Sequence, residues 1–153
     1  MASGVAVIRV GGATQVEMTE KKHRIEDALE AVRAAQLGGI HAGGGVPLAR
    51  AAQEIKISEE LNDEQKIGFN LVLNSIKEPI KQMAVNAGES PDIVVKMVES
   101  ESAEVGYDFA ESELVNMSEA GIIDPVMVTC SALRNAVSVA STLITTNYAI
   151  IQE

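Results

Sequence analysis

The chain has 153 residues, a formal charge of −10 at neutral pH and one cysteine. That length suits one domain with its own core and demands neither metal nor disulfide, and a single thiol, Cys130, excludes an internal disulfide framework or a cysteine metal cluster. The charge is uneven, with seven Lys/Arg against six Asp/Glu through Lys56 and five against sixteen beyond it, which argues against nucleic acid as a partner because phosphate binding needs a basic face.

The first residues lack the basic segment and apolar core of a signal peptide. No later stretch is an uninterrupted apolar run of about 18 residues. A soluble protein with no membrane partner, in a reducing, cytosol-like compartment, is the expectation.

In chain order, residues 5–10 (Val-Ala-Val-Ile-Arg-Val) are β-branched, stop at Gly11-Gly12, and predict a strand. Its only good partner in the sequence is the stretch 148–151 (Tyr-Ala-Ile-Ile). Residues 15–37 place Met18, Ile25, Leu29, Val32 and Ala35 at helical spacing and end at Gly38-Gly39, which predicts a long helix. Gly43-Gly44-Gly45 opens a second helix with Pro47 in its first turn, and Asn62-Asp63 caps a third through Phe69, Leu73 and Ile76. Pro79 predicts a break near Glu78, followed by helix to a stop at Gly88; Ser90-Pro91 starts another that ends near Ser100. Residues 105–109 predict a short extended or hairpin segment. Asp124 and Pro125 fit the N-cap and first position of a last helix through Leu143. The pattern is that of a mainly α protein with one small β element.

Taken singly, the chemistry-bearing residues leave two readings open. The glycine run could bring backbone N–H groups to a phosphate or ribose, yet it lacks the lysine and hydroxyl of a P-loop and fits a close-packed turn. Asp27 fits a solvated ion-pair face beside Arg24 and the Lys22/Glu26 pair, and Asp124 fits a helix cap. His23 and His41 have no metal-ligand spacing around them and read as surface or loop residues. Cys130 reads as a small packing residue of the last helix.

Read as one ordered string, the motifs resemble the C-terminal region of the group I chaperonins, the bacterial GroEL type. The matching residues are the 5–11 stretch, Val16-Glu17-Met18, Glu20-Lys21-Lys22, Arg24, Glu26-Asp27-Ala28-Leu29, Ala42-Gly43-Gly44-Gly45-Val46, Gly106-Tyr107-Asp108, Gly121-Ile122-Ile123-Asp124-Pro125 and Ser131-Ala132-Leu133. The resemblance spans essentially the whole chain. It implies that residues 1–38 are the C-terminal strand and long helix of an intermediate domain, and residues 39–153 the C-terminal part of an equatorial ATPase domain, a helical bundle with a small β element.

Several roles follow from the resemblance. Asp27 would be the catalytic aspartate that descends with its helix and orients the attacking water near the γ-phosphate. Gly43 and Gly44 would meet the nucleotide with bare backbone. Asp108 and Phe109 would lie near the adenine, Ile122 would pack on its face, and Asp124 would accept from ribose hydroxyls. The family's cofactors are ATP and Mg2+, with K+ in the full subunit. Its partners are copies of itself in a seven-membered ring, a co-chaperonin and unfolded proteins, the last two held by an apical domain.

The sequence departs from the family at Phe109, where a small residue is usual, at residues 126–130 (Val-Met-Val-Thr-Cys), and at Ser90, where a glutamate often precedes Pro91 and pairs with a basic residue matched by Lys81. The family's Gly-Asp-Gly-Thr-Thr phosphate loop and its metal-site acids do not occur in these 153 residues. The expectation is therefore half an ATP site, with no turnover by this chain on its own. A non-catalytic helical scaffold that self-associates through apolar patches is the alternative.

Overall fold

A computed structural model describes residues 4–151. Residues 1–3, where the reading against a signal peptide begins, lie outside that range, as do residues 152–153. Six helices and four short strands run in the order α1 (Gln15–Gly38), β1 (Ile40–Ala42), α2 (Val46–Glu54), α3 (Asp63–Ser75), α4 (Glu78–Ala87), α5 (Pro91–Ser100), β2 (Val105–Asp108), β3 (Glu113–Asn116), β4 (Ile123–Pro125) and α6 (Val126–Ile144). The mainly helical expectation holds.

Local chemistry explains most boundaries. Thr14 caps α1 by accepting from the Glu17 amide at 3.2 Å, while the Glu17 carboxylate accepts from the Ala13 amide at 2.8 Å. Asn62 and Gln65 form a reciprocal capping box at the start of α3. Gly88 closes α4 in the left-handed region at φ 81°, and proline occupies the first turn of α2, α4 and α5.

The core is small and lies between α2, α4, α5 and the β2–β3 hairpin. Val46 and Ala49 of α2, Ile80 and Ala84 of α4, Val94, Val95 and Val98 of α5, Tyr107 of β2 and Met117 form one buried cluster. Leu114, Val115 and Ile122 pack on its edge. Helix α2 sits directly on β2 at Gly106, where a Cβ would come within 2.6 Å of Val46 Cγ2 and 2.8 Å of Met117 Cγ. Val46 is 1% exposed and Met117 0%, so neither side chain has room to swing away. Gly106→Ala is therefore expected to cost about 1–3 kcal/mol of stability through overpacking, read as a lower urea midpoint at unchanged m-value.

Three expectations need correction. Residues 5–10 and 148–151 form no strand and do not pair with each other. Val5 and Val7 are 93% and 78% exposed, and Ile150 is fully exposed, so their strand-prone composition meets no partner edge among the described residues. The pairing that does form is antiparallel β1–β4, with His41 opposite Asp124 and Ala42 opposite Ile123.

Asp124 consequently lies in β4 and does not cap α6. Pro125 is the N-cap, without a side-chain cap bond, and the first helical amide, Val126, donates to the Gly39 carbonyl at 3.1 Å.

The third correction concerns Cys130 on α6, a helix of 19 residues that is long and apolar enough to cross a membrane by length and composition alone. Arg134-Asn135 and the Ser and Thr residues interrupt its apolar runs, so it contains no uninterrupted run of that length. None of α6 is buried, Cys130 included, so that thiol does not pack inside the described chain. Helix α6 contacts α1 and β4, and the largest helix of the chain, α1, likewise buries no residue. Ion pairs Glu17–Lys21, Glu20–Arg24 and Lys22–Glu26, each i,i+4, run along its solvent face.

Candidate functional site

The glycine turn between β1 and α2 is the most constrained backbone of the molecule. Gly44 and Gly45 have φ of 65° and 74°, the left-handed region in which a Cβ is strained. Gly43 donates its N–H to the Ile122 carbonyl at 2.8 Å, and a Cβ there would lie 3.2 Å from the carbonyl carbon and oxygen of Ile122. A Cβ on Gly44 would lie 3.0 Å from Met117 Cε and 3.9 Å from the Tyr107 carbonyl. On Gly45 it would lie 3.2 Å from Ile80 Cβ. The N–H groups of Gly44 and Gly45 take no backbone acceptor among the described residues. They stand at the positive end of the α2 dipole, a place suited to an anion or a hydroxyl oxygen.

Around this turn the chain gathers most of the residues singled out from sequence. Ile122 is half-buried and joined to Gly43. Asp124 follows two residues later, exposed, with its carboxylate free of capping duty. Asp108 ends β2, and its Oδ1 accepts from the Ala110 amide at 2.8 Å, leaving Oδ2 without a protein donor among the described residues. Phe109 tilts at 60° against Tyr107, ring centres 5.1 Å apart, and packs on the core.

Asp27 is not brought to this cluster. It is exposed on α1, eleven residues before Gly38, a rise of about 16 Å along the helix. Between them and the glycine turn lies Gly39, at φ 78°.

Several participants were not legible as site residues. His41 is half-buried; its Nδ1–H donates to the Ala42 carbonyl at 2.7 Å, leaving Nε2 to accept from the Thr129 hydroxyl at 2.9 Å. It thereby ties β1 to α6 beside the turn, a task that a lone histidine in sequence does not announce. Met117 closes the floor under Gly44, and its carbonyl accepts from the Ile122 amide at 2.8 Å. No periodicity marks it, because it lies in the turn between β3 and β4. Arg50 reaches from α2 to the carbonyl of Val105, the first residue of β2.

The described residues bring together no cluster of three or more His, Cys, Asp or Glu that could hold a metal ion. A cleft of ≈ 590 Å³ lies elsewhere, over α4 and α5, lined by Lys77, Lys81 and Lys96 and by Glu78, Asp92 and Glu99. Lys77 pairs with Glu99 at 2.6 Å and Lys81 with Glu78 at 3.1 Å, so the opposite charges largely cancel and the cleft offers no basic seat for phosphates.

A family model described as the TCP-1/cpn60 chaperonin family matches residues 1–153. The chain belongs to that family. As a chaperonin it has a role in assisted protein folding, and chaperonins work as oligomeric assemblies that bind substrate proteins.

Proposed function

We propose that this chaperonin chain is the C-terminal intermediate-plus-equatorial portion of a group I subunit and supplies one wall of its ATP site. The observation that carries the reading is the glycine turn itself. Two left-handed glycines with free amides, a third glycine fixed to Ile122, and the carboxylates of Asp108 at the end of β2 and Asp124 in β4 form a surface suited to the edge of a nucleotide.

On this reading Gly43 and Gly44 approach the nucleotide with backbone, Ile122 packs against the adenine face, and Phe109 borders the base. The free Oδ2 of Asp108 accepts from the adenine amine, and Asp124 accepts from ribose hydroxyls. Mg2+ and K+ would take their main ligands from the remainder of the subunit. Asp27 would reach the γ-phosphate side by a swing of α1 about Gly38-Gly39 and there orient or deprotonate water. The assembly would be a seven-membered ring in a bacterial cytoplasm or a reducing organelle matrix. An apical domain would bind co-chaperonin and unfolded proteins.

Surface area supports incorporation into something larger. The chain exposes 11588 Å², whereas a compact monomer of 16.2 kDa exposes about 7,500 Å². Exposed apolar residues include Val5, Tyr148 and Ile150 in the extended ends and Val16, Leu37, Ile67, Val139 and Leu143 on α1, α3 and α6.

The test is assembly with the N-terminal complement of a group I subunit. The complex is expected to hydrolyse ATP, while each part alone does not, since the phosphate cradle and the water-orienting carboxylate lie on different parts. ATP turnover by the chain alone would sink the half-site reading. Nucleotide-independent, concentration-dependent oligomers with no ATP binding in the complex would favour the scaffold reading instead.

A further inference from the structure

Arg50 is the most heavily engaged side chain in the molecule, and neither the family match nor the sequence motifs give it a role. It lies on α2, one turn past Val46. Its Nη1 donates to the Glu101 carbonyl at 2.8 Å, and its Nη2 to the carbonyls of Val98 at 2.9 Å, Ser102 at 2.5 Å and Val105 at 2.9 Å. Nε is buried without a partner, and no carboxylate among the described residues pairs with the guanidinium.

All four acceptors lie in one short stretch, the C-terminal end of α5 and the link into β2. Helix α5 carries no basic residue in its last turn, so Arg50 supplies from another helix the cation that its negative end attracts. A planar fork with two terminal nitrogens can span four carbonyls, whereas an ammonium on a single stem cannot. The stretch it grips leads within three residues from Val105 to Asp108, and the helix it grips from begins at the glycine turn. The contact at Gly106, where Val46 leaves no room for a Cβ, fixes the same two elements one turn away.

We propose that Arg50 is a positioning residue that sets the spacing between the glycine-turn wall and the Asp108 wall of the nucleotide site, and thereby the affinity for the base and ribose. The proposal rests on the nucleotide reading above. Base and ribose contacts are made alike in ground and transition states, so loosening them raises KM and leaves kcat in place.

The experiment compares Arg50→Lys with Val94→Ala in the chain assembled with its N-terminal complement, using Mg-ATP as the probe. Val94 is a core residue of α5, an element that carries none of the proposed nucleotide contacts, so its truncation reports plain destabilisation. Arg50→Lys is expected to raise the ATP KM about tenfold with kcat within about twofold, while Val94→Ala moves neither despite an equal or larger fall in Tm. Amide exchange on the chain alone gives a second reading, with faster exchange in β2 of Arg50→Lys and unchanged exchange in α3. An unchanged KM in Arg50→Lys, or an equal rise in both variants, would overturn the proposal while leaving the nucleotide reading intact. Absence of ATP binding by the unsubstituted assembly would overturn both.

Discussion

Replacing Asp27 by alanine is expected to lower ATP turnover of the assembled subunit roughly 10²- to 10⁴-fold while leaving the ATP KM within about twofold. The fold should be untouched. Asp27 is exposed mid-helix, outside every ion pair along α1, and alanine is the best helix former. Nor does its removal strip a contact from the glycine turn, which lies beyond the end of the same helix. The loss would therefore be confined to the step at which a carboxylate orients water. Asp27→Asn separates charge from shape, since the amide keeps the size and cannot take a proton. Steady-state ATPase beside nucleotide titration reads both parameters, and an unchanged kcat in the alanine variant would remove Asp27 from the chemistry.

Ile80→Ala should give the largest loss of stability. Ile80 is 0% exposed at the centre of the core cluster and packs under Gly45. Truncating a buried isoleucine costs about 2–5 kcal/mol, the lost transfer energy plus the cavity, against a total of about 5–15 kcal/mol for a typical domain. The cluster holds only nine residues, so few neighbours are available to collapse into the gap. A fall in Tm of roughly 5–15 °C is expected by thermal unfolding followed by circular dichroism. A change below about 2 °C would mean that α4 is not seated as described.

What the sequence made legible was whatever is encoded locally. Asn62 with Gln65, Gly88, and the prolines at 47, 79 and 91 are chemical punctuation, and the corresponding helices begin and end where that chemistry demands. The 105–109 segment was readable as a hairpin strand for the same reason. The errors are non-local. Residues 5–10 have strand composition, but a strand is defined by its partner, and none lies among the described residues. The three-residue strands β1 and β4 are too short to carry an alternating pattern, so their pairing, which moves Asp124 from a cap into a ladder, was invisible. The glycine turn was visible as a motif. Its floor at Met117 and the grip of Arg50 on the link into β2 were not, because each is brought in by tertiary contact alone.

The β1–β4 ribbon joins positions about eighty residues apart in sequence, and packing of α2 on β2 and Met117 is what brings its two strands near each other. With only three residue pairs, the ribbon should close after α2 to β3 have packed and open before they do under stress. Gly43 and Ile122 are the first residues inside the closure on either side. A molecule bridging them would act as a clasp, coupling the presence of nucleotide to whether the chain's two long exposed helices leave the core from one fixed point or from two loose ends.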